Sequence, residues 1–359
     1  MLLFHKRIQY GTACLGVLIL AVLITFYSRE IGSGVQKGIA LCGELVVPSL
    51  FVFFCFCEWV SLSGIGKAVS FFFAPLYRLL MGDLAKGGIS LFLCLLGGYP
   101  MGASSLASSD FLTSQERKRL ALWIFCPSPA FVIVGVGQGM LRSAKTGVIL
   151  WSACVISCLC SGCILSRIPL AKETDVRFSF VSIYKTVSLV EAVSSATIKM
   201  LQICGLVIFF SALWSCYDLL PFPNWLKCYI SGFGEVTSGC QYVIKNGASL
   251  PQIGAVLMFG GVAVHFQCRG LLKENSPRYI HFILVRLVQT LFCYGLLWLY
   301  SYFFPQTVSA MAFGGTPTVG QVSILPCVAL LGTCGVFLCS LHQMKQFRSC
   351  QYEKSGIRS

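Results

Sequence analysis

Apolar stretches of membrane-crossing length follow one another along almost the whole chain, and nothing else constrains its fold as much. A hydrocarbon core about 30 Å thick needs about 20 apolar residues per helix. Gln9–Tyr27, Gly38–Leu62, Leu120–Leu141, Gly147–Leu165, Met200–Tyr217, Gln252–Cys268, Ile280–Phe304 and Ile324–His342 meet or approach that length. Only 11% of the 359 residues are charged and 56% are hydrophobic, with a mean hydropathy of +0.78, whereas soluble domains run to about 25% charged. An all-α polytopic membrane protein with about eight transmembrane helices is expected. The first stretch is long for a signal-peptide core and has no small-x-small site after it, so Gln9–Tyr27 reads as a retained helix.

The formal net charge of +14 does not point to nucleic acid, because the basic residues are scattered through short loops, where they read as topology signals. Lys6 and Arg7, Arg117 to Arg119, Arg167 to Lys185, Arg269 to Arg278 and the tail from Lys345 to Arg358 all fit the cytoplasmic side, while Pro305–Ser323 carries no charge. Arg142 and Lys145 are the exception to this threading. It leaves Gly87–Asp110 starting inside near Lys86 and back inside by Arg117, so the segment is expected to enter the membrane, turn at Gly97–Ser105 and return. Gly98 and Pro100 supply the break. Tyr99, Ser104 and Ser105 supply polar groups, either for a ligand or for the hairpin's own backbone. Ser70–Met81, with Phe71 to Phe73 and Arg78, suggests an interfacial helix or a simple connector.

The same order returns after Met200–Tyr217: a short run Trp225–Ser231, the glycine-rich Gly232–Gln241, then Gln252–Cys268. Counted from the basic loops, this second hairpin opens from the opposite side, which predicts inverted-topology repeats with a binding region where interrupted segments meet. Both following spans carry breakers, Pro127 and Pro129 in one, Gly260 and Gly261 in the other. Either end of a broken helix is a candidate for the cavity wall. Glu235, at a hairpin tip, marks an ion or substrate path, or is solvated at an outer surface if the hairpin is shallow. Thr237 and Gln241 are candidates for substrate contact or for tip hydrogen bonding. His265 suggests a proton carrier or an interfacial histidine near Arg269. Gln267 could face the cavity or cap its helix, Ser128 lies between two prolines, Glu44 reads as interfacial, and Glu58 reads as the polar lining of a buried face or, preferably, an inner-end residue. No cofactor is expected. The 20 cysteines lie mostly in apolar runs, where a thiol acts as a small hydrophobe. Cys158, Cys160 and Cys163 lack partners at metal-site spacing, and His5, His265, His281 and His342 do not pair as ligands. No phosphate loop, nucleophile elbow or zincin motif is present, so enzymatic activity is not expected.

Pro48-Ser-Leu-Phe51, Gly97-Gly-Tyr-Pro-Met-Gly102, Gly232 to Gly239, and Phe259-Gly-Gly261 with His265 and Gln267, in that order, resemble the YlbJ (SpoVV) family of sporulation integral membrane proteins. That family carries the nucleoside recognition, or Gate, domain, which is similar to the repeated core of concentrative nucleoside transporters. With the apolar runs and basic loops giving an N-terminal helix over 1–37, re-entrant hairpins 87–110 and 225–247, a basic linker 167–198 and a last helix with a basic tail over 305–359, the resemblance implies Gate-like repeats over 38–166 and 199–304. It implies passage of dipicolinic acid across the outer forespore membrane. A nucleoside or other solute carrier, or an accessory protein of a sporulation complex, are the alternatives. The expected partners are a small-molecule solute and the lipid bilayer, with a proton or sodium as coupling ion and a homo-oligomer compatible with the architecture. Ser104 stands where the family often has a lysine.

Overall fold

The computed structural model describes residues 21–63, 72–109, 112–167, 188–217 and 222–304, with Cys14 and Leu18. Most of the expected helix Gln9–Tyr27, most of the basic linker, the loop Pro305–Ser323 and the span Ile324–His342 lie outside them.

Among the described residues every element is helical. The first long helix, α1, spans Ser28–Leu62 and widens into a π turn over Cys42–Val46. Pro48 follows one residue later; its missing N–H and its ring break the regular ladder, and the wide turn absorbs the irregularity. A short helix α2 (Ala74–Met81) and a 3₁₀ stretch Gly82–Gly87 lead to α3 (Gly88–Gly97) and α4 (Tyr99–Ala107). Next come α5 (Ser114–Trp123), opened by a Thr113–Glu116 capping box, and α6 (Ala130–Met140), wound in π turns. The helices α7 (Ala144–Leu165) and α8 (Leu189–Tyr217) are unbroken. The second half continues with α9 (Asn224–Gly234), α10 (Val236–Lys245), α11 (Leu250–Phe259) and α12 (Gly261–Leu272), and closes with α13 (Tyr279–Phe303).

Five helical segments are long and apolar enough to cross a membrane among the described residues: α1, α7, α8, the α11–α12 pair, and α13. The chain is thus an all-helical polytopic membrane protein. The helices outrun the apolar stretches that announce them: α1 begins ten residues before Gly38, and α8 begins at Leu189, so Lys199 lies inside a helix. Leu120–Leu141 forms no continuous helix, since the chain between Trp123 and Ala130 is irregular. Pro127 and Pro129 account for that gap.

Packing follows side-chain size. On α1, Gly34 and Gly38 lie one turn apart against α8, where a Cβ would come 2.7 Å from Ala212 Cα and 2.8 Å from Ile208 Cα. Small residues at this spacing let two backbones meet inside a membrane. Gly137 of α6 and Gly147 of α7 do the same, a Cβ on the first reaching 2.8 Å from the second's Cα. Val52, Ile156, Leu201, Val288, Leu291 and Trp298 are exposed on α1, α7, α8 and α13, as lipid-facing surface requires. The α11–α12 span is instead 61% buried, against 33% or less for the other four, so the broken span is the central one. There α4 of the first half packs along α12 of the second.

Candidate functional site

Three breaks in the chain meet at one place. Gly98 joins α3 to α4 at φ 79° and ψ −165°, a conformation open to glycine and strained for any L side chain. A Cβ there would also stand 3.1 Å from the Ser128 amide nitrogen, so the first hairpin turn rests on the break between α5 and α6. The second turn is made by Glu235, extended at φ −137° and ψ 131° between α9 and α10. Its Oε1 accepts from Thr237 N at 2.8 Å, and its Oε2 accepts from Ser238 N at 2.6 Å and Ser238 Oγ at 2.8 Å. The carboxylate is therefore the N-cap of its own helix. The third break, Gly260-Gly261, packs on the second, with a Cβ on Gly261 reaching 3.1 Å from Glu235 Cα.

The two hairpin turns and the α5–α6 break border a half-open cavity of about 60 Å³ lined by Gly98, Tyr99, Pro100, Ser128, Glu235, Thr237 and Gln267 among the expected site residues. Val46, Leu50 and Phe54 of α1 and Ile203, Leu206 and Val207 of α8 close the opposite wall. The N-terminal ends of α4, α6 and α10 face the cavity, and these ends carry partial positive charge. Glu235 is 2% exposed, so the outer-surface alternative does not hold.

The other expected residues sit elsewhere. Ser105 shares a buried hydrogen bond with Ser90 Oγ at 2.9 Å, which fastens α4 to α3. Ser104 accepts from Lys199 Nζ at 2.8 Å. Gln241 is half-buried on α10 and does not line the cavity. His265 is packed behind the wall, with Nε2 donating to Phe259 O at 3.0 Å and the rings of Phe259 and Phe282 at 4.7 and 5.0 Å. Phe259 O is one of the carbonyls that the end of α11 leaves free, so His265 caps that end from inside the core rather than standing at an interface. Of the two placements open to Glu58, the structure shows the buried face: it is 3% exposed, paired with Lys199, and accepts from Ser195 Oγ at 2.6 Å. Glu44 is exposed.

Two residues absent from the sequence-based candidates organise the site. Lys199 connects α8 to α1 and α4 through Glu58 and Ser104. Arg286 of α13, 1% exposed, donates to Phe125 O at 2.6 Å, Gln289 Oε1 at 2.9 Å, Tyr99 Oη at 3.3 Å, Phe259 O at 3.4 Å and, closely, Met258 O. Its guanidinium carbon is 5.3 Å from the Tyr99 ring centroid. Tyr99 Oη in turn donates to Leu257 O at 2.5 Å, and Gln289 Nε2 donates to Trp123 O at 2.9 Å. The carbonyls freed where α5 and α11 end are thus held by side chains, as buried backbone requires. A lone arginine inside the apolar run Ile280–Phe304 is the signal that would have found this residue.

Compared with known proteins, the chain is 25% identical over 299 residues to the sporulation integral membrane protein YlbJ of Bacillus subtilis (strain 168), covering 71% of this chain and 73% of that one. No family model matches the chain, and no solved structure matches it significantly.

Proposed function

As a member of the YlbJ family of sporulation integral membrane proteins, the chain is, we propose, a carrier that moves a small polar or anionic metabolite by alternating access. Its architecture in this reading is about eight spans with two re-entrant hairpins, α3–α4 and α9–α10, in inverted repeats resembling the concentrative nucleoside transporter core. The substrate in this reading is dipicolinic acid, crossing the outer forespore membrane. No covalent step is required of any residue.

The observation that carries the reading is the meeting of both hairpin turns and one broken span on a single half-open cavity, with three helix N-termini facing it. Such ends attract carboxylates. One of them already holds an internal carboxylate, Glu235, so a solute with two carboxylates would contact the ends of α4 and α6 and compete with Glu235 at α10. The present cavity of about 60 Å³ is far below the roughly 300 Å³ at which ligand sites begin. Loading a solute therefore requires the walls to part, which is what alternating access supplies.

The test is uptake of labelled dipicolinate, beside a nucleoside panel, into proteoliposomes holding the purified chain or Glu235→Gln. Saturable dipicolinate uptake supports the reading; because Glu235 repels a second carboxylate, a fall in the variant would mark Glu235 as the holder of a coupling cation rather than of the solute itself. Nucleoside uptake alone would replace the substrate. No uptake of any solute by folded, inserted protein would favour an accessory role.

A further inference from the structure

Arg286 lies at a junction that by its oxygens alone is built for a cation. Two helical ends from different halves of the chain, the stretch after α5 and the last turn of α11, turn carbonyl oxygens toward one point. Phe125 O, Met258 O and Phe259 O contribute from the backbone, and Tyr99 Oη and Gln289 Oε1 complete the shell. A helix C-terminus carries about half a negative charge, so two such ends balance one positive charge. Unwound carbonyls and half-helix C-termini are also what membrane carriers use to hold sodium.

No acidic side chain is paired with Arg286 among the described residues: each of its five hydrogen bonds goes to a neutral oxygen, and the ion pair found there joins Lys199 and Glu58. Its Nε is buried and without a hydrogen-bond partner. A side-on bidentate pair with a carboxylate would use that nitrogen. This one is held by the carbonyl cluster itself, through its two terminal nitrogens. It stands directly behind Tyr99, whose ring separates it from the cavity.

We propose that Arg286 is a tethered cation occupying, permanently, the place where these two broken-helix C-termini would otherwise bind a free metal cation, so that no sodium enters or leaves at this junction. A free ion couples a cycle because its occupancy changes with concentration and conformation. An ion covalently attached to α13 cannot leave, and it keeps the two ends joined in every state.

Thermal unfolding of the purified full chain in detergent tests this without any transported solute, so its outcome is separate from that of the uptake experiment. The melting temperature of the unaltered protein is expected to be the same in sodium and in choline at fixed ionic strength. Arg286→Ala should melt roughly 10 °C lower and recover part of that loss with millimolar guanidinium or sodium, but not with urea or choline. Saturable stabilisation of the unaltered protein by sodium, or an Arg286→Ala variant that melts normally or ignores every cation, would overturn the proposal. If Arg286→Ala does not fold, Arg286→Lys and Arg286→Gln decide. Folded protein from lysine but not from glutamine is the expected result, and equal behaviour of the two refutes it.

Discussion

Both oxygens of Glu235 are engaged by its own helix, and that fixes what its substitutions should do. Thr237 N, buried, and Ser238 N, half-buried, are donors at the start of α10, and the side-chain acceptor they share is this carboxylate. Glu235→Ala leaves them unpaired and should cost about 1–3 kcal/mol of stability. Glu235→Gln keeps one acceptor oxygen and should cost less than half of that; melting curves of the two variants in detergent check the order. A glutamine variant that melts almost normally and has lost uptake would place the charge in the transport path. One that loses stability and uptake together would leave Glu235 a structural cap. A second residue-scale contrast lies on α1. Gly32 has open space around its Cβ position, whereas Gly34 meets the α8 backbone. Gly32→Ala should be neutral or stabilising by up to about 1 kcal/mol, and Gly34→Ala should cost roughly 1–3 kcal/mol by overpacking. Equal effects would show that α1 and α8 do not meet as described.

At the scale of elements, the breaks were legible and the clamps were not. Gly98, Pro127, Pro129 and Gly260 interrupt α3–α4, α5–α6 and α11–α12 where the sequence places Gly and Pro within apolar runs, because those residues act locally. Which helix ends face the cavity depends on partners far along the chain, and local pattern cannot report them. Hydropathy averaging also conceals single charges: α13 still averages a hydropathy of 1.8 with Arg286 inside it. Lys199 escaped notice for a related reason, since the apolar run begins only at Met200 while the helix begins eleven residues before it. Ser104 and Ser105 have the polarity a ligand site needs, but their position along α4 turns them toward Lys199 and Ser90 instead. His265 likewise points at a carbonyl behind the cavity.

Across the whole molecule, two cations, half-buried Lys199 and buried Arg286, fasten the elements around the cavity. Lys199 with Glu58 ties α8, α1 and α4, and Arg286 ties α13 to α4, α11 and the α5–α6 break. Removing one member of the buried pair leaves the other uncompensated, so Glu58→Gln or Lys199→Met alone should cost about 3–5 kcal/mol. The double variant should cost less than the sum by about 1–3 kcal/mol, as a double-mutant cycle of melting data would read. Additive costs would mean the two side chains act independently. The sulfur atoms give the same frame a chemical clock. The thiols of Cys94, Cys158 and Cys268 are buried, each within 3.9 Å of a backbone oxygen at or beside a break. Cys160, by contrast, is exposed. A membrane-permeant maleimide should therefore alkylate the three buried thiols only as fast as the breaks come apart. The native protein carries its own reporters, and the slow phase of labelling measures how often the centre of the molecule opens.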